Sequence, residues 1–178
     1  QLDNAALATA CLDVCGFPGI TQETIQAGLA RARWPGRMQR LTSGPLPAIL
    51  PDGAELWLDA AHNPMGATVL AEAFGSLETQ AERPLHLVVA MLDDKDIAGF
   101  LAPFAARAIS MTAVPLDDEP RAMPVREMVA AAEDAGLAAK PAGSVADALT
   151  QITQGPMPVR VLVTGSHLLV GATLRANN

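Results

Sequence analysis

Apolar and polar positions along the chain change their rhythm near residue 34. Before that point, Asn4 to Val14 runs through Ala and Leu without a breaker and reads as a helix. Gly16-Phe17-Pro18-Gly19 ends it, and Thr21 opens a second helix over Gln22 to Arg31, with Thr24 where a capping-box glutamate usually sits. Trp34-Pro35-Gly36 breaks the pattern. Beyond it, strand-sized apolar runs alternate with amphipathic segments. Strands are expected at Arg37–Thr42, Glu55–Asp59, Leu85–Met91, Arg107–Ala113 and Val159–Val163. Helices are expected at Met65–Leu77, Ile97–Phe104, Val125–Ala135, Val145–Ile152 and His167–Leu174. Leu85 to Met91 is apolar almost throughout, as a parallel strand buried on both faces must be.

This alternation predicts an α/β domain over residues 34–178. It is a Rossmann-like, mostly parallel sheet with helices on both faces. Residues 1–33 form a separate helical piece, whose apolar faces are expected to be incompletely buried. Leu46 to Glu55 reads as a surface loop.

Composition narrows the class. Half the 178 residues are apolar, tyrosine is absent, and the net charge is -7. An acidic chain without a basic, aromatic-laced patch is not expected to bind nucleic acid. The apolar runs fall far short of the roughly 20 residues of a membrane helix, and no charged-then-apolar leader is visible. Cytoplasmic location is the expectation. Cys11 and Cys15 share one helix face without further ligands nearby and read as small, buried, reduced thiols.

Candidate chemistry gathers where expected strands end. In open α/β sheets, ligands bind outside the carboxyl ends of strands and beside helix N-termini. Leu58-Asp59-Ala60-Ala61-His62-Asn63-Pro64 is such a strand-to-helix turn. Asp59 can accept ribose hydroxyls or simply hold the turn. His62 can meet a phosphate or carboxylate, or be structural. Asn63 suits the N-cap of a helix with Pro64 at its first position. Arg37 follows a Pro-Gly hinge and can fork onto a phosphate or make an interdomain ion pair. Asp93-Asp94-Lys95-Asp96 reads as a solvated loop. Ser166, after Thr164-Gly165, is a helix cap or a carboxylate ligand. No Walker-type phosphate loop, GxGxxG fingerprint, Ser-His-Asp elbow or metal cluster occurs. The chain therefore holds ligand-crevice residues without a reaction centre of its own, as one half of a site does.

Several of these segments, in order, resemble the C-terminal part of the folylpolyglutamate synthase/dihydrofolate synthase group of the Mur ligase superfamily. They are Asp3-Asn4-Ala5-Ala6-Leu7-Ala8, Trp34-Pro35-Gly36-Arg37-Met38-Gln39, the Asp59-to-Pro64 turn, Asp94-Lys95-Asp96, Glu119-Pro120-Arg121-Ala122 and Thr164-Gly165-Ser166. The resemblance spans the chain. It implies an ATP-dependent amide ligase that phosphorylates a folate or pteroate carboxylate and joins L-glutamate to the acyl phosphate. It implies Asn4 on adenine, Asp59 on ribose, Arg37 on the phosphates, and His62 and Ser166 on the incoming glutamate, with Arg37 and His62 the catalytic pair. It also implies that the phosphate loop and the Mg2+ ligands lie in the ATPase domain, outside these residues, with no metal ligand in this chain. Residues 1–33 become a remnant of the central domain, the fragment alone is expected inactive, and the full-length enzyme is expected to be a monomer. Which of the two synthase activities applies is not separated by these residues. The rival from another class is a stand-alone, non-catalytic nucleotide-binding module that uses Asp59 and the helix after Pro64 as its cradle. An NAD-type oxidoreductase is disfavoured by the missing glycine fingerprint.

Overall fold

The computed structural model describes residues 2–79, 81–155 and 158–178. Gln1, the first residue of the expected helical piece, lies outside them. The chain divides into two compact units, Gln1–Pro35 and Gly36–Asn178.

The first unit holds two helices, α1 (Leu2–Cys15) and α2 (Gln22–Arg31). The Thr21–Thr24 capping box is present although threonine replaces the usual acid. Thr21 Oγ1 accepts the Thr24 N–H at 3.2 Å, and Thr24 Oγ1 accepts the Thr21 N–H at 2.8 Å. No residue of α2 is buried. The expectation of buried thiols is corrected here: Cys11 and Cys15 are free but exposed. Apolar residues lie all around α1, so packing against a single neighbour cannot bury every side of it.

The second unit is a six-stranded sheet in the order β1-β2-β6-β3-β4-β5. Its strands are β1 (Gln39–Leu41), β2 (Glu55–Leu58), β3 (Leu85–Val89), β4 (Ala108–Ala113), β5 (Ala138–Pro141) and β6 (Arg160–Thr164). Only β1 runs antiparallel, paired with β2. The fold is α/β and mostly parallel, as the alternation required. The helices are α3 (Pro64–Glu78), α4 (Ile97–Leu101), α5 (Val125–Asp134), α6 (Val145–Ile152) and α7 (His167–Ala176). The expected helix Ile97–Phe104 is α4 followed by a 3-10 turn, Ala102–Phe104.

Both faces of the sheet are covered. On one, Leu70 and Phe74 of α3, Phe100 of α4 and Met128 of α5 meet Leu87, Val89 and Met111. On the other, Leu149 of α6 and Leu169 and Val170 of α7 meet Val88, Val161 and Val163. All five residues of β6 are buried, consistent with its central place.

Two further expectations differ from the structure. β5, Ala-Ala-Lys-Pro, was not expected as a strand; its residues have low strand propensity, and pairing with β4 alone makes it one. Residues 46–55 are not a plain surface loop. Leu46 is buried in the α6–α7 core, Leu50 packs against it, and Glu55 begins β2. Asn177 fastens this segment from a distance, its Oδ1 accepting the Leu46 N–H at 3.1 Å and its Nδ2 donating to the Ser43 carbonyl at 2.9 Å.

Candidate functional site

Three loops converge at the carboxyl ends of β2, β6 and β3. After β2 the chain stays tied to its neighbours: Asp59 N–H donates to the Val163 carbonyl at 3.1 Å, and Gly165 N–H donates to the Ala61 carbonyl at 2.9 Å. The Asp59-to-His62 turn and the Thr164-to-Ser166 turn are thus held side by side. Gly165 has a φ of +101, and a Cβ there would stand 2.8 Å from the Ala90 carbonyl oxygen. Only glycine lets the three strand ends approach this closely.

Asp59 is buried and organises the hinge. Its Oδ2 accepts the Met38 N–H at 2.8 Å and its Oδ1 accepts the Ala61 N–H at 2.8 Å. Each oxygen retains one lone pair. Met38 has a φ of 41, a left-handed conformation that a side chain rarely adopts. Gly36 beside it has a φ of +73, and a Cβ there would lie 2.5 Å from Val170 Cγ1. The backbone of residues 36–38 is thus bent into a strained turn that the Asp59 carboxylate holds in place. Arg37, at the top of that turn, is 3.9 Å from Asp59 through Nη1, and its side chain stays 32% exposed. That loose contact lies inside the second unit, so it is not the interdomain ion pair considered above, and the guanidinium keeps most of its donors.

His62 is half-buried. Its Nδ1 lies 3.2 Å from the Ala60 carbonyl oxygen. A carbonyl only accepts, so in that contact Nδ1 is the donor, and the contact leaves Nε2 unengaged. His167 stands against it, ring centroids 5.3 Å apart. The His167 pKa is lowered, first by desolvation and then by Arg37 and His62. Asn63 caps α3, its Oδ1 accepting the Gly66 N–H at 2.8 Å, with Pro64 in the first turn. Ser166 caps α7, its Oγ accepting the Leu168 N–H at 3.0 Å. Both capping roles agree with the plain reading of those residues.

A cavity of about 210 Å3 opens here, lined by His62, Lys95, Ser166 and His167 with Leu92 and Leu168. Lys95 and His167 are members that the sequence reading did not select. Asp93, Asp94 and Asp96 are exposed, as a solvated loop requires, and the segment is also pinned: Arg121 Nη2 bonds Asp94 Oδ2 at 2.7 Å, and the Asp93 N–H donates to the Arg121 carbonyl at 2.8 Å. This tie fixes the base of the loop from which Lys95 reaches the cavity. A hint was present in the sequence, since the segment follows the most apolar strand and therefore sits at the same sheet edge. Asn4 lies elsewhere in the chain, exposed on α1 of the first unit. Among the described residues no group of three His, Cys, Asp or Glu side chains is placed to hold a metal, and no helix is long and apolar enough to cross a membrane.

One guanidinium, one ammonium, two imidazoles and the N-termini of α3 and α7 meet at one sheet edge. The ammonium, Lys95 Nζ, lies 3.3 Å from the Asp94 carboxylate, and donors and helix dipoles of this kind can hold an anionic polar ligand. The model of one family, described as Mur ligase, glutamate ligase domain, matches residues 36–167. The chain belongs to this family. Among relatives of this Mur ligase domain, a dihydrofolate synthase/folylpolyglutamate synthase of Mycobacterium tuberculosis is 32% identical over 137 residues, covering 74% of this chain and 26% of its own. The crystal structure of the bifunctional folylpolyglutamate synthase/dihydrofolate synthase of Yersinia pestis, complexed with AMPPNP and Mn, superposes with a TM-score of 0.79 at 32% identity. That match covers 99% of this chain and 39% of the Yersinia protein. A structure of a protein of the same description with Mn, AMPPNP and L-glutamate bound gives a TM-score of 0.80 at 31% identity, covering 99% and 39%. The chain therefore spans about a quarter to two-fifths of the length of these relatives.

Proposed function

We propose that this chain supplies the glutamate-handling part of an ATP-dependent acid–amino-acid ligase, one that extends dihydropteroate or a (poly)glutamyl tetrahydrofolate by one L-glutamate. The observation that carries the reading is the cavity lined by His62, Lys95, Ser166 and His167 beside the Arg37–Asp59 turn, in a chain of the Mur ligase glutamate ligase family. Relatives with this fold hold AMPPNP, Mn and L-glutamate. In this reading residues 1–33 belong to the central domain, residues 34–178 form the ligase domain, and Asn4 meets adenine.

The chemistry follows from the groups present. ATP phosphorylates the substrate carboxylate, and the glutamate amine attacks the acyl carbon as the C–O bond to phosphate breaks. Lys95 and the α7 N-terminus at Ser166 hold glutamate carboxylates, and Nε2 of His62, the ring nitrogen not engaged by the Ala60 carbonyl, accepts from the amine as it sheds its proton. Arg37 meets phosphoryl charge, where a guanidinium stabilises the transition state more than the ground state. Asp59 has lone pairs left for the ribose. The residues fit a nucleotide's ribose and phosphates. They do not fit its metal, whose ligands belong to other parts of the enzyme.

Steady-state kinetics of the full-length enzyme test the assignment. Asp59→Ala is expected to raise the KM for ATP, Arg37→Ala to lower kcat, and His62→Ala to raise the KM for glutamate more than that for ATP. An unchanged glutamate KM in a folded His62→Ala enzyme removes the role given to that residue. The 178-residue chain alone is expected to hydrolyse no ATP; turnover by the pure chain, unaffected by Arg37→Ala, would overturn the half-site reading.

A further inference from the structure

At the amino ends of β3, β4 and β5, the opposite edge of the sheet from Asp59 and Ser166, lies a second cavity of about 370 Å3. The proposed reaction does not use it. Its volume falls in the roughly 300–1,000 Å3 range of small-molecule sites. Three adjacent strands and α6 build it. In register, His86 of β3 faces Ser110 of β4, which faces Ala138 of β5, and Lys140 follows two residues later on the same face. Gln151, in the last turn of α6, closes the side.

The polarity of this corner is unexpected. The α6 side of the sheet is otherwise made of Val88, Ala90, Val114, Val161 and Val163, as strands buried on both faces should be. Here it turns into His86, Ser110, Thr112 and Lys140. The His86 Nδ1 and Ser110 Oγ are 2.7 Å apart. Lys140 makes no ion pair among the described residues, and burial, with the Lys140 charge second, pushes the His86 pKa down. Two buried side-chain atoms lack a hydrogen-bond partner among the described residues, Thr112 Oγ1 and Gln151 Oε1. Both lie on this side of the sheet. Thr112 follows Ser110 along β4 and pairs with Lys140 in register. The Gln151 amide nitrogen is already engaged with the Pro141 carbonyl at 3.3 Å, which leaves Oε1 as an acceptor in want of a donor. The carbonyl end of α6 adds partial negative charge on the same side.

The unpaired Lys140 ammonium and the unsatisfied Gln151 Oε1 thus belong to the lining of one cavity, together with Ala138, Ala139 and Ile152. We propose that this cavity binds a small organic oxyanion, a carboxylate or a phosphate ester, that also carries an amino or amide donor. The oxyanion sits on Lys140 and the donor on Gln151 Oε1. The inference is independent of the ligase reading, because it rests on the other edge of the sheet.

The chain has three histidines, which makes them separate reporters. His62 and His167 report the first cavity, and His86 reports this one. The imidazole signals of the protein are followed by NMR during titration with L-asparagine, AMP and succinate, to ~10 mM, enough to fill a site with a Kd of about 1 mM. The expected result is saturable movement of His86 with L-asparagine, AMP or both, and weaker movement with succinate, which has no amino or amide donor. Whichever of the first two moves it identifies the carboxylate or the phosphate ester as the ligand. Lys140→Met is expected to weaken that binding about tenfold, as loss of a charge-assisted bond does. Gln151→Met, which removes the unpartnered acceptor and the exposed 3.3 Å bond to the Pro141 carbonyl, is expected to stay folded by thermal melt and to abolish the preference over succinate. A His86 signal that moves with none of the three, or moves equally in Lys140→Met, overturns the proposal. Movement of His62 and His167 alone does the same while leaving the ligase reading in place.

Discussion

β2 and β6 lie side by side and carry charged or polar residues at both ends, yet the two ends treat them oppositely. At the amino end Glu55 and Arg160 face each other in register, both buried. Arg160 Nε donates to Glu55 Oε2 at 2.7 Å, Trp57 Nε1 donates to the same oxygen at 3.0 Å, and Arg40 and Arg83 stand 3.6 Å from Oε1. Oε2 accepts two hydrogen bonds and Oε1 is flanked by two guanidinium charges. Burial on its own would raise the Glu55 pKa, but the hydrogen bonds from Arg160 and Trp57 and the nearby arginine charges outweigh it and hold the group below its usual range. At the carboxyl end Asp59 is equally buried, but it spends its oxygens on the backbone of a strained turn. Arg37 stays 3.9 Å away, and His62 is tied only through Nδ1 to the Ala60 carbonyl. A saturated network makes structure. A partly engaged one, next to a cavity, leaves capacity for a ligand.

Breaking the saturated end should cost most. Arg160→Met leaves Glu55 buried with only peripheral partners, and a loss of about 3–5 kcal/mol is expected in urea denaturation. Replacing Glu55 and Arg160 together by apolar residues should cost less than the sum of the single changes. Next is Gly36→Ala, which forces a side chain into a positive φ and against Val170; about 2 kcal/mol is expected. Asp59→Asn keeps one acceptor but turns the other into a donor facing the Met38 or Ala61 N–H, and should cost about 1–3 kcal/mol. If Asp59→Asn proved as costly as Arg160→Met, the contrast between the two ends would collapse.

Helix caps sharpen the comparison on a finer scale. Ser166 and Ser144 both cap helices through Oγ, but only Ser166 lines the first cavity. Each serine-to-alanine change should cost about 1 kcal/mol, while only Ser166→Ala should also weaken glutamate use by the full-length enzyme. Acid should have the smallest effect at first. The His86 pKa is lowered from 6.5 by burial and by Lys140. The unfolded chain therefore takes up that proton first on acidification. The stabilisation is complete above the unfolded value and is lost as pH falls through the folded one. Glu55, lowered from 4.5, adds a loss of the same sign at lower pH. Thermal melts across this range should show falling stability, with a shallower slope in His86→Gln.

Much of this was legible in the residues. Leu85 to Val89, broken only by His86, and the Val161-Leu162-Val163 centre of β6 announce buried parallel strands by their apolar runs, and Asn63-Pro64 announces the start of α3. The turns that carry Asp59, His62 and Ser166 could be found because a strand ends just before each. β5 could not, because Ala138 to Pro141 has no strand signal apart from its neighbour. Lys95 and His167 were passed over because a charged run and a helix's first residue look ordinary until two distant loops close on them.

The sequence by itself determined the elements other than β5, their alternation and hence a covered parallel sheet, because hydrophobic period and turn residues act locally. It also determined the family, through short motifs held in order. Only the tertiary structure decided which polar groups meet. Glu55 and Arg160 lie 105 positions apart and Gly165 reaches Ala61 across the sheet. Strand order is set by the packing of whole elements, and no local pattern encodes it.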